Sequence, residues 1–437
     1  MAAQIVYHYY KNKVNTIMKR IRINHIAKTE GHMSFVGALL DGDLAQARIE
    51  TEEGARLFEG MVVGRPYYQM PVIVARICGV CPIVHNLGAI KAIENAFEVK
   101  PTKAIILLRK ILELAQLIHS HTLHMYFLSF PDIVGISNNT NLVSQYPKQS
   151  QLALEVRDWG VKMAKLIGGR TVHPINSVVG GFNVAPDEEK LKDFLDQIPQ
   201  LIKLSAKLFD FLKNQDIPEF RNPSNYLALK SDKEYAIYDG KVYFLDEKKK
   251  KDPKLFYSDV DEESLPYESV KRAYHIDQPM MLGALARLNC NHQQLNKVAK
   301  KNWNELRIKM PDYNPFHNIL AQAVEVIHCY EECQKLIQQY LKIKNKNLKV
   351  DFNPTAGEGI GVIEAPRGLL FHYYKFDKDG NVKDCNIMTP TCLFIANLEQ
   401  DLEKFLPTLQ GLPEKKRDLM IKTLIRAYDP CISCATH

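Results

Sequence analysis

At 437 residues the chain is longer than one typical domain, and a composition of 46% hydrophobic and 24% charged residues excludes the disordered and collagenous classes. The formal net charge of +7 is modest, and the lysines are scattered or gathered at 248–251 rather than interleaved with aromatic residues, which argues against nucleic-acid binding. No basic stretch leads into an apolar segment at the start, and the most apolar helical stretch, 104–118, is interrupted by Arg109, Lys110 and Glu113, so neither a signal peptide nor a membrane span is expected.

The first predicted element is a hairpin over 34–51, turning at Asp41-Gly42-Asp43. Pro101 then opens a long amphipathic run to Phe130, with proline in the first helical turn. Further helices are expected over 152–167 and over 186–214, the latter kinked at Pro199. Between 224 and 274 the texture changes to Tyr/Val/Phe segments around Asp239-Gly240 and then to a charge-rich stretch, which reads as a hairpin and loop inserted into a helical body. The lysine run at 248–251 reads as solvated loop. Helices follow at 292–307 and 316–342, a second β region at 359–388 turns near Asp377-Lys378-Asp379-Gly380-Asn381, and a last helix covers 393–405. The expected fold is mainly α with small β excursions, an α+β body forming one domain over 1–437.

Nine cysteines, an odd number without a secretory signal, point to reduced thiols and a cytoplasmic protein, unless the folded chain is exported on a partner. Four of them form two pairs of identical spacing, Cys78/Cys81 and Cys431/Cys434. A C-x2-C turn lets two thiolates reach one soft cation, and two such turns supply the four sulfurs that such an ion prefers. Joining them brings together residues 350 positions apart and folds the last residue, His437, into the site. A closed zinc site is one reading. Zinc knuckles usually hold their pairs in one short module, however, and a site built from both chain ends suits a buried catalytic metal better. Cys329 and Cys333 share a helical face and read as buried thiols, as do Cys290, Cys385 and Cys392. His119, His121 and His124 do not share one helical face and read as packing residues.

The residues around the pairs resemble the large, catalytic subunit of the nickel-iron hydrogenases. Arg76-Ile-Cys-Gly-Val-Cys81 with His85, and Asp429-Pro-Cys431 with Cys434 and His437, match that family's two signatures. Glu30-Gly31-His32, Phe58-Glu59, Gly64-Arg65-Pro66, Asp132, Glu364-Ala-Pro-Arg-Gly368 and Thr389-Pro390-Thr391 follow the family's order along nearly the whole chain. Length and the tyrosine-rich insertion are most similar to the cytoplasmic multi-subunit group.

The resemblance implies a nickel held by Cys78, Cys81, Cys431 and Cys434, with Cys81 and Cys434 shared with an iron carrying carbonyl and cyanide. It implies cleavage of H2 to protons and electrons. A buried Glu30 with a raised pKa would pass the proton. Arg367 would lie over the open side of the metals, paired with Asp132 or Asp429, and Pro390 and Thr391 would line the cyanide side. His85 would bond a bridging sulfur. Glu59, a carbonyl near Ile387 and His437 would hold magnesium or a similar divalent cation. Since no leftover cysteines have iron-sulfur spacing, electrons would leave through an iron-sulfur small subunit, with diaphorase or other electron-transfer subunits beyond it. Many family members lose a tail after this histidine, which implies a maturation protease and nickel-insertion proteins as further partners. A degenerate quinone-reductase-like or zinc-binding scaffold, or a hydrogen sensor of the same architecture, are the alternatives.

Overall fold

Alternating apolar residues at the start of the described chain build an antiparallel sheet of β1 (Lys19–Ile23), β2 (Met33–Leu39) and β3 (Ala45–Thr51), in which Ile23 lies opposite Phe35 and Phe35 opposite Ile49. The structure, a computed structural model, describes residues 19–39, 45–264 and 268–437. The expected hairpin therefore has its two strands, while its turn at Asp41-Gly42-Asp43 lies outside the described residues.

The first long helix, α1 (Pro82–Ala96), was not predicted, because nearly every face of it is buried and it carries no amphipathic stripe. Next comes α2 (Lys103–Thr122), capped by the Thr102 hydroxyl, which accepts from the amide of Ile105, so Pro101 precedes the cap instead of occupying the first turn. The expected continuous helix to Phe130 is also corrected: residues Leu123–Ser129 widen into a π-helix before an α turn resumes at Phe130–Ile133. With α3 (Pro147–Gly168), α4 (Glu188–Lys213) and α5 (Asn318–Leu341), α2 forms a four-helix bundle in which α2 and α4 each pack on both α3 and α5. Pro199 sits inside α4 without dividing it.

The stretch over 224–274 holds more sheet than expected. β4 (Asn225–Lys230), β5 (Lys241–Phe244), β6 (Lys249–Lys251) and the short strand Met280–Met281 make one four-stranded sheet, and Val260–Glu263 pairs separately with Arg272–His275. Most of the lysine run is thus an edge strand, where repeated charge discourages pairing with another chain. The predicted helix at 292–307 divides into a 3-10 turn, His292–Gln294, and a helix, Lys297–Glu305.

Residues 357–388 form a meander of β7 (Gly357–Ala365), β8 (Gly368–Phe376) and β9 (Val382–Met388). Its second turn lies where expected, closed by the Asp377 amide on the Asn381 carbonyl. The first turn, at Pro366-Arg367, had no turn signal strong enough to be read. α1 lies directly on β7 because the strand is glycine at the contact: a Cβ on Gly359 would stand 2.1 Å from the Ala92 carbonyl oxygen, and one on Gly361 2.3 Å from that of Gly88. We expect Gly361→Ala to lower stability by about 1–3 kcal/mol through overpacking, seen as an earlier midpoint in chemical denaturation. The chain closes with α6 (Pro390–Phe405), α7 (Glu414–Ala427) and a single turn, Ile432–Ala435.

Candidate metal centre

Cys78 ends the turn Ala75–Ile77 in extended conformation, and Cys81 is the N-cap of α1, with Pro82 at its first position. That places both thiols at a helix start, where backbone amides favour anionic sulfur: Cys78 Sγ accepts from the amides of Val80 and Cys81 at 3.2 and 3.4 Å. The second pair arrives on the tail, Cys431 capping the last turn, and the backbone of this segment lies alongside Glu30, with the Ile432 amide donating to the Glu30 carbonyl at 3.0 Å. The segment around Glu30 and the C-terminal tail therefore meet. The four sulfurs are buried and lie within 4.8 Å of one another, with Cys78 to Cys431 at 3.5 Å and Cys81 to Cys434 at 3.2 Å.

Arg367 stands on the β7–β8 turn beside them. Its Nε donates to the Asp429 carbonyl at 2.7 Å and its Nη2 pairs with Asp429 Oδ1 at 2.8 Å, while Nη1 is buried without a partner. The turn is fixed from behind by Arg287, which donates to the carbonyls of Ala365 and Pro366 and pairs with Glu325 and Glu364, all three ionic side chains fully buried. A cavity of about 10 Å³, room for one water-sized group, is lined by Cys81, His85, Pro366, Arg367, Pro390, Thr391, Cys431 and Cys434. Thr391 Oγ1 accepts from the Cys431 amide at 3.0 Å, and His85 Nε2 lies 3.7 Å from Cys434 Sγ.

Glu30 Oε2 lies 3.0 Å from Cys431 Sγ and accepts from the Ser433 amide at 3.0 Å. It is half-buried rather than fully enclosed, which corrects the expected dry setting. Asp132 is corrected as well. Its carboxylate holds Lys28, at 2.6 Å, and Arg426, so it anchors the segment leading to Glu30 against α7 and does not pair with Arg367.

On the far side of the tail, Glu59 Oε1 accepts from the Ile387 amide at 2.8 Å and lies 3.7 Å from His437 Nε2, which faces the Ile387 carbonyl at 2.5 Å. Burial would raise the Glu59 carboxyl, but His437, the Ile387 amide and Lys271 bring it down to about 2.

Sequence reasoning missed Arg56, whose Nη2 donates to the carbonyls of Ile77 and Ser433 and so clamps the residues preceding Cys78 and Cys434. It also missed Glu53, which faces the Ser433 hydroxyl at 3.4 Å and the Nδ1 of exposed His32 at 3.4 Å. Neither lies in a run with periodicity or metal-ligand spacing, so no local signal marked them. His119, His121 and His124 are buried in the bundle, His121 on Glu325 and His124 between Gln322 and the Arg426 carbonyl.

The family model described as nickel-dependent hydrogenase matches residues 56–160 and 222–437, well over half of the chain. The chain belongs to the nickel-dependent hydrogenase family. As such it is an oxidoreductase acting on hydrogen. It is 29% identical to the alpha chain of sulfhydrogenase 2 of Pyrococcus furiosus over 95% of this chain and 98% of that one. It is also 29% identical to a vhu chain of the F420-non-reducing hydrogenase of Methanocaldococcus jannaschii, over 89% and 98% of the two chains. Among solved structures, an NAD+-reducing [NiFe]-hydrogenase in the H2-reduced state superimposes with a TM-score of 0.85 at 25% identity, covering 96% of this chain and 99% of that one. A [NiFeSe]-hydrogenase of Dm. baculatum gives 0.80 at 25% identity, over 96% and 100%.

The donor set of this hydrogenase chain fits soft metals. Two metal–thiolate bonds of about 2.3 Å span up to about 4.6 Å, close to the widest sulfur separation here. Hydrogen bonds from Cys431, Cys434 and Cys81 hold Cys78 well below the usual thiol range, while burial pushes Cys431 and Cys434 well above it. Four thiolates packed this closely in a dry core require multivalent positive charge, which nickel with iron supplies. The orphaned Nη1 of Arg367, buried at the rim of the cavity, calls for an acceptor there.

Proposed function

We propose that the chain is the catalytic subunit of a hydrogenase in which Cys78, Cys81, Cys431 and Cys434 bind nickel, with Cys81 and Cys434 also shared with an iron carrying carbonyl and cyanide. The observation that carries this reading is the convergence of four buried thiols from both chain ends beside a cavity into which an unpartnered guanidinium donor is set. When bound, the metal pair would supply a soft electrophilic centre for splitting H2 into a proton and a hydride equivalent, whose two electrons go to the partner subunit, overall H2 → 2H+ + 2e−.

The remaining work falls to the side chains. Arg367 Nη1 and the Thr391 hydroxyl, both at the cavity, would provide donors for cyanide, and Pro366 and Pro390 make the rest of that wall apolar. Asp429 holds the guanidinium in register through two contacts. Glu30, one hydrogen bond from the Cys431 sulfur, takes the proton from that atom and, being half-buried, releases it outward past Ser433 and Glu53. His437 Nε2 stands close to the Ile387 carbonyl and 3.7 Å from Glu59 Oε1. These three residues would hold a magnesium-like cation, which would supply a fixed positive charge to pin the tail that carries Cys434.

Electrons leave through an iron-sulfur partner, since the five other cysteines are buried and free. Leu57, Met61, Val63 and Tyr68 are exposed, as are Val172 and Ile175 on a segment tied to the Cys78 turn by His173 Nδ1 on the Ala75 carbonyl. Such a patch around the metal loop suits that partner. Further electron-transfer subunits, a maturation protease and nickel-insertion proteins complete the set. We also place the protein in the cytoplasm; among the described residues no helix is long and apolar enough to cross a membrane.

The direct test is elemental analysis with infrared spectroscopy on the purified complex. Nickel and iron near one each per chain, with carbonyl and cyanide bands, are expected. Zinc alone, without those bands, would refute the assignment.

A further inference from the structure

A second line of buried side chains leads away from the thiols, and no step above uses it. His85 lies 3.7 Å from Cys434 Sγ through Nε2, and its Nδ1 is 3.3 Å from His372 Nε2. His372 Nδ1 is in turn 3.1 Å from the Tyr374 hydroxyl. His372 and Tyr374 are both 0% exposed. The ring of His372 has its place because α1 carries glycine opposite it: a Cβ on Gly88 would stand 2.8 Å from His372 Cδ2.

The direction of this chain follows from its end at the thiols. A metal-bound thiolate can only accept, and burial, with no carboxylate in contact, keeps His372 neutral with a single N–H. If His85 presents Nε2–H to the sulfur, its Nδ1 must accept from His372 Nε2–H. His372 Nδ1 must then accept from the Tyr374 hydroxyl. Every group is satisfied in that sense. In the reverse sense the lone pair of His85 Nε2 faces an electron-rich sulfur, and the pairing at the site is repulsive.

We propose that His372 and Tyr374 are positioning residues that fix His85 as its Nε2–H tautomer and so aim one N–H at the Cys434 sulfur. The proposal rests on the reading of Cys434 as a thiolate shared by the metals. An N–H···S bond draws electron density from that sulfur, so losing it leaves the metals richer in electrons and lowers the stretching frequency of an iron-bound carbonyl.

The test is infrared spectroscopy of the assembled complex carrying His372→Leu, His372→Gln or Tyr374→Phe, with metal content measured in each, together with 15N-histidine NMR of the His85 ring. His372→Leu should shift the carbonyl band to lower frequency at unchanged nickel and iron. His372→Gln, whose amide N–H can replace the ring donor, should keep the band near its original place. Tyr374→Phe removes one oxygen atom and should give a smaller shift in the same direction, which keeps the test available if His372→Leu fails to assemble. An unmoved band in fully loaded His372→Leu, or in Tyr374→Phe should the leucine variant be lost, overturns the inference. So does a wild-type His85 ring in the Nδ1–H form. Absence of carbonyl bands from the wild type overturns the bimetallic reading instead, and the ring tautomer then decides this inference alone.

Discussion

Cys431→Ala should abolish hydrogen turnover and leave the purified chain depleted of nickel. Cys431 is 0% exposed, and the other three sulfurs of the cluster lie within 4.8 Å. The variant thus leaves a soft cation three thiolates and a methyl group in place of the fourth. Even a residue that merely supports a ligand costs about 10–100-fold in metal affinity when removed, and a direct ligand costs more. The control is Cys333→Ala. That thiol is equally buried, but it lies in α5 within the bundle, and burial holds it well above the ordinary thiol range, so it stays a neutral apolar group. Its loss should affect stability by about 1 kcal/mol or less per small group removed and leave nickel and turnover intact. Elemental analysis and dye-linked hydrogen uptake on both variants decide the matter; full nickel and normal uptake in Cys431→Ala would remove the cluster from the mechanism.

What the sequence disclosed about this site, and what it hid, follows from the range of each signal. The paired cysteines were legible because two thiolates on one tight turn make a local pattern, and the four sulfurs do converge. The bundle helices α3 and α4 were legible because each has one wet face, which imposes a period on the chain, and α5 has such a face from Glu331 onward. α1 was not, since burial on all sides erases that period just where the helix must hold Cys81 against the sheet. The π-helix after α2 was equally silent, because a change from four- to five-residue hydrogen bonding leaves composition untouched. Pairings across the fold were the least accessible. Asp132 and Asp429 are both carboxylates in the matching segments, and only the path of the chain gives Asp429 to Arg367 and Asp132 to Lys28 and Arg426. Arg56 shows the same limit, as one side chain reaches both the turn before Cys78 and a carbonyl 377 positions further along the chain than itself.

Glu30→Gln separates proton handling from metal binding and should reduce turnover by about 10²–10⁴-fold, the usual contribution of a placed acid or base. Glutamine matches glutamate in shape and can still accept the Ser433 amide now bonded to Oε2 at 3.0 Å, so the tail and its two cysteines should stay in place. What it cannot do is take a proton from the Cys431 sulfur, 3.0 Å away. Nickel and iron contents, and the infrared bands, should therefore match the unaltered protein while uptake collapses. Glu53→Gln makes the comparison sharp. Glu53 meets the Ser433 hydroxyl and His32, not a thiol, and Glu30 is itself half-exposed, so protons reaching Glu30 have water as another exit. Its replacement should slow turnover far less than that of Glu30. Equal losses in the two variants would mean that release through Glu53 governs the rate, and normal uptake in Glu30→Gln would show that the proton leaves the sulfur by some other group.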